Sequence, residues 1–171
     1  VINRGALAQC SYLATVTLNK GLVEITGNVF YYSAVTEIIS DNERFVMKSN
    51  KVEFVDIENK TLIAFLCENL SQDGIHKVSD DIENISNDVF RYCAKIKSVI
   101  LNEGLKTIGN YAFGSSGLES IEIPASVESI GDYAFRYCGS LSKFEIKEGM
   151  KGTIGASILQ NTSVKELTLP Q

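Results

Sequence analysis

Few residues of this chain could do chemistry: four cysteines, one histidine, and 21 carboxylates among 16 cationic side chains. With His76 as the single histidine, no His-based metal cluster or catalytic triad is expected. Cys-His nucleophile chemistry would need Cys67 or another cysteine brought beside His76, and no spacing in the sequence does that. The acidic residues Glu119, Glu122, Glu128, Asp132 and Glu145 lack the alternating oxygen ligands of a calcium loop and read as solvated surface. The reading is therefore a non-enzyme with no catalytic residue, no metal and no cofactor.

The elements that must position these groups are repeats. The run Ile108-Gly-Asn-Tyr-Ala112-Phe113-x-x-Ser116-x-Leu118-x-x-Ile121-x-Ile123-Pro124-x-x-Val127 recurs as Ile130-Gly-Asp-Tyr-Ala134-Phe135-x-x-Cys138-x-x-Leu141-x-x-Phe144-x-Ile146-x-x-x-Met150. Further copies begin at Ile85, at Leu22 and at Ile2, the last of these matching the unit that ends at Met150 position for position. A final, worn copy keeps Ile158, Asn161, Val164, Leu167, Leu169 and Pro170, with Thr153 where an isoleucine is expected. Self-similarity at a fixed short period marks a stacked array in which each unit leaves its apolar side for its neighbours to cover. Neither end carries the polar capping unit that such arrays need, so the chain reads as a piece of a longer array.

Within a unit, Leu-x-x-Ile-x-Ile alternates like a short strand, with Ile121 and Ile123 inward and Ser120 and Glu122 outward. The Ile-Gly-x-x-Ala-Phe stretch has helical spacing and predicts a short helical turn. Equivalent strands then pair in parallel. Leu7, Phe30, Phe90, Phe113, Phe135 and Ile158 form one internal column. His76 falls where Val99 lies one copy later, which turns it inward as a hydrogen-bonded histidine.

The cysteines follow the same frame. Cys10, Cys93 and Cys138 share a register position with Ser33, Ser116 and Asn161. Parallel strands stack about 4.8 Å apart, so cysteines two units apart lie beyond the roughly 7 Å Cα limit of a disulfide. They are expected to be small buried side chains, and Cys67, outside the frame, is left without a role. From Ile25 to Ile85 the spacing is 60 residues, one period of 23 and an insertion of 37. Inside it Phe45-Val-Met-Lys, Val52-Glu-Phe-Val55 and Thr61-Leu-Ile-Ala-Phe65 read as strands parted by turns. They predict a β-meander over 45–74 that stands off the array, which resumes at Ile75-His76-Lys77-Val78.

These motifs resemble the BspA-type leucine-rich repeat, also called the Treponema pallidum type. The pattern from 130 to 146 looks like its consensus, and Phe45-x-Met-x-x-Asn50 followed by Lys60-Thr-Leu-Ile-Ala-Phe65 is similar to a hairpin segment often found in such arrays. The resemblance implies an α/β solenoid: a leucine-rich repeat right-handed superhelix, one domain over 1–171, with a parallel sheet on one face, short helical turns on the other and the inserted β-meander. It also implies a binding module on a cell surface or secreted, holding an extracellular-matrix or host surface protein. A spacer array that displays another domain and has no ligand of its own is the alternative.

The expected partner surface is the outward side of the strands, because a curved sheet presents side chains in columns. One column holds Thr15, Glu37, Ile75, Ser98, Ser120, Lys143 and Glu166; the next holds Thr17, Ile39, Lys77, Ile100, Glu122, Glu145 and Thr168. A third runs Asn19, Asp41, Ser79, Asn102, Pro124, Lys147 and Pro170. The candidate partner-binding residues are Thr15, Thr17, Glu37, Ile39, Ile75, Lys77, Ser98, Ile100, Ser120, Glu122, Lys143 and Glu145, with Ile39, Ile75 and Ile100 as an apolar patch. Tyr31, Tyr32, Tyr92 and Tyr137 are expected to cover the turns on the opposite side, a residue type that also anchors partners. Asn59, Asn69, Asn84 and Asn161 begin sequons, which matter only in a secreted eukaryotic chain.

Composition sets the outer bounds. Hydrophobic residues at 44% and charged residues at 22% are globular values. A net charge of −5 without a basic cluster argues against nucleic acid. No apolar run reaches the roughly 20 residues that cross a bilayer, so no membrane insertion is expected.

Overall fold

The structure, a computed structural model, describes residues 1–169 and is a β-solenoid. The alternating segments form strands that pair in parallel from one coil to the next. Five of them, Ile75–Lys77, Ser98–Ile100, Ser120–Ile123, Lys143–Ile146 and Glu166–Thr168, make one sheet. Its register sets Ile121 beside Phe144 and Ile123 beside Ile146, all four buried, as a period of two requires. Among the described residues Thr15–Leu18 pairs only with Glu37–Ser40, so the first two coils carry a separate sheet.

The opposite wall is also β, which corrects the expected helical turns and with them the α/β description. Thr107–Ile108, Ser129–Ile130 and their equivalents are two-residue strands stacked in parallel. After each, the backbone N–H groups alternate in direction. Ala112 and Gly114 bond back three residues to Gly109 and Tyr111, while Tyr111, Phe113 and Ser115 donate to Asp132, Ala134 and Arg136 on the next coil. Tyr111 and Ser115 have φ of 53° and 57°, and Tyr133 and Tyr137 have 58° and 62°. A left-handed residue every fourth position stops any α-helix from propagating. Among the described residues the one helical element is the 3₁₀ turn Cys67–Asn69.

The same corner explains the repeated glycine. A Cβ at Gly109, Gly131 or Gly155 would lie 2.6 Å from the backbone of the preceding coil. Side chains lock that close approach: Asn87 Oδ1 accepts from the Asn110 N–H, Asn110 Oδ1 from Asp132, and Asp132 Oδ1 from Ala156.

Inside, Phe90, Phe113 and Phe135 stack with centroids 4.8 and 5.0 Å apart and planes within 9° and 8°. Phe65 extends this file from the insertion, 4.8 Å from Phe90. At the C-terminal end the expected column is off by one. Ile130 pairs with Ile154, and the Phe135 N–H donates to the Ile158 carbonyl as that of Phe113 does to Ala134, so Leu159 takes the place assigned to Ile158. The worn copy has one extra residue ahead of Ile154, which is why Thr153 fell on an isoleucine position. Pro170 lies outside the described residues.

The insertion does not stand off the array; it is a wall inside it. Phe45–Lys48, Glu53–Asp56 and Thr61–Phe65 are antiparallel neighbours, and Thr61–Phe65 continues in parallel onto Asn84–Ile85. Thr61 pairs with Asn84 and Leu62 with Ile85, one period away, so the array resumes at Thr61 rather than at Ile75. Every residue of Glu53–Asp56 is buried. Phe45, Phe54 and Ile63 pack with the N-terminal coils, whereas Val52, Val55, Leu62 and Phe65 pack with the C-terminal ones, dividing the apolar interior in two.

Candidate functional site

The strand face is built from the outward residues of the five-stranded sheet. Ser98 aligns with Ile75 on one side and Ser120 on the other, Ser120 with Lys143, and Lys143 with Glu166. Ile100 aligns with Lys77, and Glu122 with Glu145. Ile75 and Ile100 are about half exposed, at 48% and 51%. Ser98, Ile100, Ser120, Glu122, Lys143 and Glu145 line a shallow groove of about 290 Å³. Eight of the twelve expected partner-binding residues thus share one sheet.

The other four do not join them. Thr15, Thr17, Glu37 and Ile39 are exposed on the two-stranded sheet, Thr15 beside Glu37 and Thr17 beside Ile39. The meander separates the two sheets, so Ile39 is not part of a continuous patch with Ile75 and Ile100. The third column is structural where it is buried. Asn102 donates to the Ser79 and Ile82 carbonyls and accepts from the Gly104 N–H, closing the turn after its strand, and Pro124 is buried. Asn42 does the same in the second coil, donating to Lys20 and Leu22.

Charge on the face is internally paired. Lys147 Nζ lies 2.6 Å from Glu103 and 2.9 Å from Glu122, and these two carboxylates hold its ammonium well above the usual lysine range. Lys143 Nζ is 3.5 Å from Glu145. Sequence reading had no means to find Glu103, which reaches Lys147 across two coils.

Beneath the face, His76 is buried as expected, and its partner belongs to the insertion. Its Nε2 lies 2.8 Å from Oε1 of Glu53, a fully buried carboxylate. Glu53 also accepts from the Ser49 hydroxyl at 2.8 Å, the Ser79 N–H at 3.1 Å and the Ser79 hydroxyl. Burial pushes this carboxyl up, but the bonds from His76, Ser79 and Ser49 outweigh it and hold the group below the ordinary carboxylate range. The cluster fastens the wall to the strand face. Both Glu53 oxygens, the Ser49 and Ser79 hydroxyls and His76 Nε2 are engaged within the cluster, and Phe65 packs on the imidazole at 4.8 Å.

The turn side departs most from expectation. Cys67 and Cys93 form a disulfide with Cα atoms 5.6 Å apart. The frame rightly kept the column cysteines from pairing with each other, and Cys10 and Cys138 are free. It excluded Cys93 from any bridge, however, only because Cys67 was not seen to belong to a coil. The spacing Leu62 to Ile85 was the available signal. Burial pushes the Cys138 thiol up, so it is a packing group rather than a nucleophile.

The tyrosines do cover the turns, threaded with arginine. The Arg91 guanidinium lies over Tyr111, Tyr92 and Tyr31 at 4.5, 4.8 and 5.8 Å, and Arg136 over Tyr137 and Tyr133 at 4.6 and 5.1 Å. Among the described residues there is no group of three or more potential metal ligands, and no helix is long and apolar enough to cross a membrane.

No curated protein sequence matches the chain. Solved structures match its fold. The crystal structure of the pneumococcal vaccine antigen PcpA superposes with a TM-score of 0.77 at 21% identity over 99% of this chain. A leucine-rich repeat protein from Eubacterium ventriosum gives 0.70 at 17% identity over 91%, and a leucine-rich cell surface protein from Faecalibacterium prausnitzii 0.62 at 16% over 93%. The chain spans 48% of each of these three. The model of the BspA type leucine-rich repeat region matches six copies over residues 1–76 and 64–171. With the coil geometry, the phenylalanine file and this match together, the chain belongs to the BspA-type leucine-rich repeat family.

Proposed function

We propose that the chain is a protein-binding module of a cell-surface or secreted protein, and that its partner lies across the strand face. The observation that carries this is the alignment of Ile75, Ile100, Ser98, Ser120, Glu122, Lys143 and Glu145 on one open sheet. Half-exposed isoleucines beside serines and ion pairs suit a wide interface of modest contacts rather than a deep pocket. An extracellular setting is supported by the Cys67–Cys93 disulfide, since such bonds persist in oxidising compartments. Two of the similar folds are described as a vaccine antigen and a cell surface protein, which agrees with that setting.

The test is binding of the purified chain to a panel of extracellular-matrix proteins, repeated with Ile100→Asp and Lys143→Glu. Loss of binding in both variants supports the strand face, and unchanged binding removes it. Ile39→Asp, on the separate sheet, is expected to have a smaller effect. A chain that binds nothing in the panel favours the spacer reading.

A further inference from the structure

The third coil cuts its corner. In the regular fifth coil four residues separate Ile108 from Phe113, whereas in the third only two separate Leu62 from Phe65, within the strand Thr61–Phe65. The outward turn is missing there, and the second coil leans across to the fourth. Asn28 makes that contact: its backbone N–H donates to Asn87, and its side-chain amide to the Asp88 and Val89 carbonyls. Beyond Asn28 the two coils part. The Phe30 N–H turns back to Asn28 Oδ1, and neither the rung from the Tyr32 N–H to the Arg91 carbonyl nor that from the Ala94 N–H to the Ser33 carbonyl is formed among the described residues. The fork opens into a cleft of about 410 Å³ with Phe65, Leu66 and the Cys67–Cys93 disulfide along it.

We propose that this cleft binds an acidic sugar residue of a glycan. Tyr32 and Tyr92 meet at its rim, centroids 5.1 Å apart, and remain 67% and 39% exposed; Arg91 lies over the Tyr92 ring, so the aromatic surface available to the C–H face of a pyranose is mostly that of Tyr32. Charge at the fork is in excess on the positive side. Arg4 and Arg91 share the single buried carboxylate of Asp88, while Lys95 is matched by Glu68. One surplus cation next to tyrosine rings suits a carboxylate carried on a ring. The open backbone groups favour a sugar over a peptide. They are two isolated rungs, not the run of alternating donors and acceptors along which a strand adds, and a hydroxyl can both donate and accept.

The experiment is titration of the intact, oxidised chain with hyaluronan oligosaccharides, which carry uronic acid, against chitin oligosaccharides as neutral and oligoglutamate as acidic non-sugar controls. Hyaluronan oligosaccharides are expected to bind, with Tyr32→Ala and Tyr92→Ala each weakening binding at least about fivefold. Both side chains are exposed, so both variants fold; Arg91→Lys, confirmed folded by its unfolding midpoint, is expected to weaken binding by a similar factor. The strand-face variant Ile100→Asp should leave this binding unchanged whatever becomes of protein binding. No hyaluronan binding, equal binding of oligoglutamate, or binding indifferent to Tyr32 and Tyr92 would overturn the proposal, as would its loss in Ile100→Asp.

Discussion

The coils from Ile85 to Met150 and the segment from Phe45 to Lys77 reach the same interior by different means. In the regular coils every position repeats, so a stack of phenylalanines, an asparagine ladder and glycine corners each serve three or more neighbours at once. In the irregular segment only Thr61–Leu62 and Ile75–Lys77 keep the period, and burial is achieved with a two-faced antiparallel wall, a buried carboxylate and a covalent bridge. The contrast teaches that a solenoid tolerates an aperiodic element only if that element presents an apolar face to each side. Each of its polar groups must then find a specific partner.

The largest effect that would test the comparison lies in the regular stack. Phe113→Ala should cost about 3–5 kcal/mol, read from denaturant unfolding, because rigid neighbours on both sides leave the space unfilled. Should the cost be no more than about 1 kcal/mol, the stack is not the rigid part. Cys67→Ser, which opens a bridge between residues 26 apart, should cost about 3 kcal/mol and lower the unfolding midpoint without changing the regular coils.

Glu53→Gln should cost about 1–3 kcal/mol, since it weakens every bond the carboxylate accepts inside the wall. It also has a pH signature. The folded carboxyl ionises below its unfolded value, so its contribution is full above the ordinary carboxylate range near pH 4.3 and fades as pH falls through the lower folded value. The gap between parent and variant should therefore narrow from pH 7 toward pH 3 in paired denaturant titrations. A gap that stays constant would mean that the charge on Glu53 is irrelevant. The smallest expected effect on stability is that of Ile100→Asp, within about 0.5 kcal/mol, because the residue is half exposed on the open strand face.

Much of the regular region could be read from the residues alone. The alternation at Ile121 and Ile123, the inward turn of His76 and the outward columns from Ile75 to Glu145 all follow from one period and one parity. The corners could not be read that way. Tyr111, Ser115, Tyr133 and Tyr137 take left-handed backbone without being glycine, so helical spacing of Ile130, Ala134 and Phe135 misled. The insertion defeated the frame for another reason. Its last strand is in phase with Asn84–Ile85, but its turn is shortened, so matching by motif skipped a coil that register restores. With that coil missing, Cys67 had no neighbour, and the Cys67–Cys93 bridge and the fork beside it went unseen. On the strand face the parity was right and the continuity wrong: Thr15, Thr17, Glu37 and Ile39 obey the pattern on a sheet of their own.

The regular coils offer the same surface upward and downward, since each pairs with the next through the same residues in the same places. A coil can therefore be copied or dropped there by a simple genetic slip without creating a mismatched seam. The wall admits no such edit, because its two sides are unlike, and lineages that vary in length should vary on the far side of Asn84.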